Sequence, residues 1–135
     1  MDYKDILKSI VAVGGSLVTY LLGGWSALIK ILVAFVVIDY VTGVLAAAYH
    51  GKLDSNIGLK GIAKKVFIFI IVACGHLVDN AMGTQDIVRD AAIYFYIANE
   101  LLSILENAGE IGLPVPDMLK NAIERLKGKE QDTPG

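Results

Sequence analysis

Four apolar segments, each close to the length of a membrane-spanning helix, occupy most of this 135-residue chain. They cover residues 6–22, 25–49, 62–82 and 87–105. A helix that crosses a bilayer needs about 20 mostly apolar residues, because the hydrocarbon layer is about 30 Å thick. The apolar fraction of 55% is also typical of membrane proteins. The sequence therefore predicts an all-α integral membrane protein with three to four transmembrane helices.

The connections between these segments predict how the chain crosses the membrane. Gly23-Gly24 is a tight break that favours an antiparallel hairpin of the first two helices. Residues 50–65 read as a loop with four lysines against one aspartate, whereas residues 79–90 are acidic on balance. Loops rich in lysine and arginine stay in the cytoplasm. With four spans, both termini are then cytoplasmic as well.

The C-terminal part of the chain differs from the rest. Pro114 and Pro116 should end the fourth helix, because proline lacks a backbone donor and restricts the residue before it. Residues 1–112 are thus predicted to form a transmembrane helical domain, and residues 113–135 a cytoplasmic amphipathic helix with a disordered tail. The helix should bury one face, and the disorder should cover residues 129–135. The apolar positions on that face are Leu119, Ala122, Ile123 and Leu126.

Composition and motifs argue against several classes of function. The net charge is −2, and no basic run interleaves with aromatic residues, so nucleic acid is not an expected partner. Cys74 is the only cysteine, which excludes an internal disulfide and leaves no convincing zinc site. No nucleophile motif, phosphate-binding glycine loop or paired-carboxylate arrangement is present. We expect no enzyme activity, cofactor or metal.

An aspartate near the centre of the second segment needs a partner or water. An unpaired aspartate at the centre of a span is unfavourable by roughly 2.5–3.5 kcal/mol. A hairpin folded at Gly23-Gly24 places Asp39 level with Lys8, each fifteen or sixteen residues from the turn. An ion pair between Lys8 and Asp39 is one prediction. The alternative is an Asp39 that lies near the cytoplasmic boundary and is hydrated.

Small residues recur at intervals of four in the first two segments. Small residues at this spacing let two helix backbones approach closely within a membrane. The spacing favours helix packing over a direct lining of a pore. The positions are Gly15, Thr19 and Gly23 in the first segment, and Gly43 and Ala47, which follow Asp39, in the second.

In the third segment, His76 and Asp79 are three residues apart. On a helix they would share one face and could hydrogen-bond to each other.

A polar stripe runs along the fourth segment. At 100° per residue, its members between residues 89 and 110 fall within about 120° of arc. Such a stripe cannot face lipid, so it lines a water-filled hole between several copies, packs against Asp39 or His76 of the same chain, or lies on the membrane surface. The sequence leaves these alternatives open. The candidate residues are Tyr96, Asn99, Glu100, Ser103, Glu106 and Asn107.

Three blocks of sequence carry a family resemblance. They are residues 38–43 (IDYVTG), residues 55–65 (SNIGLKGIAKK), and residues 99–107 (NELLSILEN) followed by the GLPVP exit at 112–116. Over about residues 25–126 the chain resembles the bacteriophage holin family that also contains clostridial toxin-secretion holins. The resemblance implies no catalytic residues, and a span count that is commonly three.

The same resemblance implies a function in the membrane of a bacterial host. Such proteins accumulate in the cytoplasmic membrane, form homo-oligomers and abruptly permeabilise the lipid bilayer. An endolysin then reaches the cell wall and lyses the host, or a toxin leaves the cell, without the need for direct binding to the holin. Two other functions stay open: a small proton-coupled transporter that uses Asp39 or Glu100, and a small membrane enzyme with Asn99 and Glu100 near the interface.

Overall fold

The computed structural model describes residues 2–126, which form five α-helices and no strand. Helix occupies 84% of these residues, which confirms the predicted all-α fold. The connections between successive helices are short. The helices are α1 (Tyr3–Leu22), α2 (Ala27–Tyr49), α3 (Ser55–Met82), α4 (Ile87–Glu110) and α5 (Asp117–Leu126).

Three of these helices are long and apolar enough to cross a membrane. They are α1, α2 and α3, with 20, 23 and 28 residues. Helix α4 has 24 residues, but charged side chains interrupt its apolar sequence. The lower figure of the predicted three to four spans is therefore the one that the structure supports. Helix α4 nevertheless packs on α2 and α3, and so belongs to the same bundle.

The start of α3 differs from the prediction. The basic segment 50–65 is not a loop, because α3 begins at Ser55, well before the apolar segment begins at residue 62. The Asp54 carboxylate accepts a hydrogen bond from the backbone N–H of Asn56 and so caps the helix. The first turns of α3 mix polar residues and glycines with the exposed Ile57 and Leu59, so they form no continuous apolar segment.

The order in which the helices pack also differs from the prediction. Gly23 and Gly24 do break the chain, both with positive φ. Among the described helices, however, α1 packs on α3 and not on α2, so the two helices that flank this break are not a packed hairpin. Helix α4 is central, with α2, α3 and α5 as its neighbours. A cluster of buried aliphatic side chains from α2, α3 and α4, together with Leu22, forms the main core.

A glycine allows the closest approach between α3 and α4. A Cβ atom at Gly75 would lie 3.0 Å from Cα and 3.2 Å from the backbone N of Arg89. The obstacle is backbone, which cannot rotate away as a flexible side chain could. Gly75 is therefore required for this crossing, whereas nothing lies within 4 Å of a Cβ placed at Gly14 of α1.

We expect Gly75→Ala to lower the free energy of unfolding by about 1–3 kcal/mol, because the two backbones must separate. The matched control Gly14→Ala should be neutral or stabilising by up to about 1 kcal/mol, because alanine is the better helix former. Circular dichroism of the detergent-solubilised protein during thermal unfolding measures both. Equal midpoints for the two variants would contradict the close approach.

Candidate functional site: a buried charged network

The polar centre of the bundle joins three helices through one ammonium group. The Nζ atom of Lys65 in α3 lies 2.6 Å from Oδ2 of Asp39 in α2 and 2.8 Å from Oε1 of Glu100 in α4. Asp39 and Glu100 are only 6% and 3% exposed. Removing charges from water is unfavourable unless they are paired and hydrogen-bonded. Two carboxylates therefore depend on a single lysine.

Neutral side chains of α4 complete the hydrogen bonding of Asp39. Ser103 Oγ and Asn107 Nδ2 donate to Asp39 Oδ1 at 2.7 and 2.9 Å. Asn107 also donates to the Thr42 hydroxyl at 2.9 Å. Within residues 2–126, every buried side-chain nitrogen and oxygen atom has a hydrogen-bond partner. A fully satisfied network of this kind rigidifies a bundle and specifies one packing arrangement.

Helical spacing explains why α4 can supply these groups together. Glu100, Ser103 and Asn107 are three and four residues apart, so they share one face of α4. That face lies against the middle of α2, where Gly43 is next to the amide of Asn107. A Cβ at Gly43 would lie 3.6 Å from that amide nitrogen, which is ordinary contact. Asp39 and Gly43 together thus receive the polar face of α4.

A cavity of about 250 Å³ reaches this network from the end of the bundle where α2 connects to α3. Its walls contain several residues without bulky side chains, and Asp39, Lys65, Ser103 and Asn107 lie along it. Lys52 and Asp54 of the connection also line it. The charged network is therefore reachable from one end of the bundle. The small residues in the walls are Gly43, Ala47, Gly58 and Gly61.

The predicted partner of Asp39 is wrong. Lys8 is exposed on α1, which does not pack on α2, and the cation beside Asp39 is Lys65. Lys65 lies in the predicted basic loop of residues 50–65. It nevertheless precedes the buried Ile68 and Val72 by three and seven residues. That helical spacing was the sequence signal for an inward-facing Lys65. The expectation that a central aspartate has a partner is met by a different lysine.

The structure divides the polar stripe of α4 into an inner and an outer part. Glu100 is buried, and Ser103 and Asn107 are half-buried against Asp39. For these three residues, the structure agrees with the alternative in which the stripe packs against other helices of the same chain. Tyr96 and Asn99 are also half-buried, whereas Glu106 is exposed. Lining of a pore by any stripe residue stays a prediction.

A second polar cluster lies at the opposite end of the bundle and begins with Asp79. Its carboxylate accepts hydrogen bonds from the backbone N–H groups of Val88 and Arg89, both at 2.9 Å, and from the Thr84 hydroxyl at 2.6 Å. The first N–H groups of a helix have no partner within it. Asp79 of α3 thus caps α4. Asp86, the residue just before α4, makes no cap hydrogen bond with its side chain.

Arg89 connects this cluster to α1. Its Nη1 atom donates to the backbone oxygens of Leu22 and Gly23 at 3.0 and 3.1 Å. Its Nη2 atom lies 3.0 Å from Asp90 and 3.6 Å from Asp86. A cation is favourable at the C-terminus of a helix, where carbonyl groups are unpaired. Arg89 therefore fastens the end of α1 to the bundle.

His76 and Asp79 do not bond to each other as predicted. His76 Nδ1 lies 2.9 Å from Asp86 Oδ1, and its Nε2 lies 3.3 Å from the Asn80 amide. The His76 ring also fills the space where a side chain at Gly23 would lie, 2.5 Å from the position of a Cβ there. Gly23 ends α1 in a left-handed backbone conformation, and its lack of a side chain leaves room for this ring.

The remaining small residues of α1 face away from the described bundle. Thr19 Oγ1 donates to the Gly15 carbonyl and accepts a hydrogen bond from Trp25 Nε1 at 2.7 Å. Nothing lies within 4 Å of a Cβ placed at Gly15. Helix packing through Gly15 and Thr19 stays a prediction, and it would require a second chain.

The residues of the charged network lie within the region that is shared with a known family. The sequence model of the bacteriophage holin family matches residues 16–128, which is most of the chain. The chain belongs to the bacteriophage holin family. The match includes α2, α3, α4 and α5, and thus every residue of the charged network. No solved structure matches this holin-family chain significantly.

Similar proteins occur in several bacteria. An uncharacterised protein of Halalkalibacterium halodurans is 48% identical, over 94% of this chain and 98% of its own length. An uncharacterised protein of Listeria innocua is also 48% identical, over 94% and 91%. An uncharacterised protein of Clostridium perfringens from the nagH 3′ region is 39% identical, over 86% and 89%. These relatives have nearly the same length as this holin-family protein.

We expect Lys65→Met to lower the free energy of unfolding by about 3–5 kcal/mol, because two buried carboxylates lose their cation. Lys64→Met is the matched control: Lys64 is adjacent and exposed, so its loss should change stability by no more than about 0.5 kcal/mol. Thermal unfolding in detergent measures the difference. Similar stability of the two variants would show that Lys65 does not hold the carboxylates together.

We expect Arg89→Met to loosen the end of α1, because the carbonyls of Leu22 and Gly23 lose a charged donor. Hydrogen bonds to charged groups contribute about 1.5–3 kcal/mol, so amide exchange at Gly23 and Gly24 should accelerate about tenfold or more. Lys30→Met, which removes an exposed cation of α2, is the control. Unchanged exchange in Arg89→Met would mean that other contacts hold α1.

Proposed function

We propose that this protein oligomerises in the bacterial cytoplasmic membrane and opens a lesion or pore, through which an endolysin or a toxin crosses. The carrying observation is the buried Asp39–Lys65–Glu100 network at the centre of a bundle with three membrane-spanning helices. Membership of the holin family, a family of non-enzymatic membrane proteins, supports the proposal. The released endolysin or toxin need not bind the protein.

The network explains how a single chain can remain harmless in the bilayer. Glu100, Ser103 and Asn107 would be costly in hydrocarbon, but each already has a partner on α2 or α3. These three side chains therefore need no water-filled path in a single copy. A change in permeability then requires several copies, which fits a protein that acts only after it has accumulated.

Helix α1 supplies a surface for that assembly. Most of its residues are exposed, and Leu22 is its one buried residue in the described structure. Gly15 and Thr19 lie on an open surface of α1, where a helix of another copy could approach closely. We propose that α1 and the neighbouring bundle contact one another between subunits. Lipid covers this surface before assembly.

The distribution of charge supports one orientation. The end of the bundle that contains the α2–α3 connection retains Lys52, Lys60 and Lys64, even though Lys65 points inward. The opposite end contains Asp86 and Asp90. The positive-inside rule places the lysine-rich end in the cytoplasm. The His50 ring lies 2.8 Å from the backbone oxygen of Glu110, so the C-terminal end of α4 lies on the same side.

Inducible expression in a bacterium tests this proposal. We expect membrane potential to collapse abruptly after a delay, and optical density to fall only when an endolysin is expressed as well. Lys64→Met should behave like the natural chain, whereas Lys65→Met should not accumulate a functional assembly, because its bundle is destabilised. Normal growth and membrane potential at high levels of the inserted natural chain would contradict pore formation.

One observation favours a second function, a small proton-coupled transporter. The cavity that reaches Asp39 would give protons or a solute access to a buried carboxylate from one side of the membrane. A transporter would produce a substrate-dependent flux driven by a pH gradient, and the cells would not lyse. The expression experiment separates the two functions, because only the pore depolarises the membrane without any added substrate.

A further inference from the structure

Helix α5 covers the side of α4 that faces away from the charged network. Ala98 and Leu102 are buried on that side, about 160° around the helix from Glu100. Helices α2 and α3 pack on the side of α4 that contains Glu100. The remaining described helix that packs on α4 is α5. Ile123 of α5 is only 3% exposed. This packing is therefore a second, smaller apolar contact outside the main core.

The position of α5 along α4 follows from a cavity between them. The first turns of α5 and the last two turns of α4 line this cavity, whose volume is about 360 Å³. Helix α5 thus folds back from the end of α4 toward the middle of the bundle. The lining residues are Leu105, Glu106, Gly109 and Glu110 on α4, Val115 in the connection, and Asp117 and Lys120 on α5.

The hydrogen bonds of α4 then fix the depth of α5. Ser103 and Asn107 bond to Asp39, which lies at the middle of the 23-residue α2. Lys120, which lines the same cavity as Leu105 and Glu106, is therefore close to the level of the middle of α2. If α2 crosses the bilayer, the first turns of α5 lie within the thickness of the hydrocarbon layer.

The outer face of α5 cannot contact hydrocarbon at that depth. Exposed polar side chains lie opposite Ile123, among them Asn121 and Arg125, together with the exposed Met118, and Lys120 is exposed as well. A charged side chain at the centre of a bilayer is strongly unfavourable. The outer surface of α2 and α3 is the opposite case, because Val37, Val41, Val66 and neighbouring apolar residues line it.

We propose that the surface formed by α5 and the outer side of α4 lines the aqueous lumen of the assembled pore, while the apolar surface of α2 and α3 faces lipid. This inference rests on the proposed pore function and specifies its wall. It places α5 inside the channel, rather than in the cytoplasm as the sequence predicts. Glu100, Ser103 and Asn107 lie on the other side of α4, where they bond to α2 and α3 and hold α4 in place.

The charge of this surface predicts which ions pass. Its carboxylates outnumber its cations by four to two, so the lumen should favour cations over anions. The carboxylates are Glu106, Glu110, Asp117 and Glu124, and the cations are Lys120 and Arg125.

Charged thiol reagents test the position of α5 in the full-length protein. Cys74, the only cysteine, is exposed and is first replaced by serine. Arg125→Cys and Asn121→Cys then place a thiol on the outer face of α5, and Phe67→Cys places one on the exposed apolar side of α3 as a control. Conductance is recorded in planar lipid bilayers before and after addition of a positively or a negatively charged methanethiosulfonate.

We expect both α5 thiols to react and to change ion selectivity in opposite directions with the two reagents. A positive adduct should lower the ratio of cation to anion permeability, and a negative adduct should raise it. The thiol at residue 67 should not react, because lipid surrounds it. Arg125→Glu provides a second measurement without chemical modification, and it should raise cation selectivity.

Two results would overturn the assignment of the lumen while leaving the pore itself intact. One is reaction of the α5 thiols with no change in selectivity, which would place α5 on an aqueous surface outside the pore. The other is a failure of these thiols to react in conducting bilayers. A Cys74→Ser chain that inserts but never conducts would instead contradict the proposed function, and the lumen with it.

Discussion

Two buried carboxylates that share one lysine are the constraint on which the bundle depends. Asp39, Lys65 and Glu100 come from three different helices, so α2, α3 and α4 can pack only in the register that brings these groups together. Apolar contacts alone would tolerate a shift along the helix axes, since one aliphatic side chain resembles another. A shifted register would leave a charge unpaired in a low-dielectric interior. The network thus selects one arrangement.

The opposite end of the bundle is organised by caps and has a different consequence. Asp79 holds the start of α4, and Arg89 holds the end of α1, so these polar residues connect the ends of α1 and α3 with the start of α4. Helix α1 has few other contacts with the bundle. The molecule therefore combines a firmly registered three-helix core with one helix that is attached near a single end. Such a division leaves α1 available for contacts between subunits.

Sequence and physical chemistry together determined the class of this protein. The lengths of the apolar segments, the glycine break at Gly23-Gly24 and the Pro114–Pro116 exit predicted helices that are present in the structure. The amphipathic pattern after Pro116 likewise predicted α5. The cost of an unpaired charge in a span also required that Asp39 have a partner or water. These inferences use local periodicity and composition, because the length and the ends of a helix depend on residues that are close together in the sequence.

Only the tertiary structure decided which groups meet. The sequence predicted Lys8 as the partner of Asp39, but α1 packs on α3, which leaves Lys8 exposed, and Lys65 pairs with Asp39 instead. The polar stripe of α4 showed that one face avoids lipid, yet not that Ser103 and Asn107 lie against α2. Partner choice depends on which helix faces pack together. That choice is a property of the whole bundle, because every helix competes for the same few buried charges.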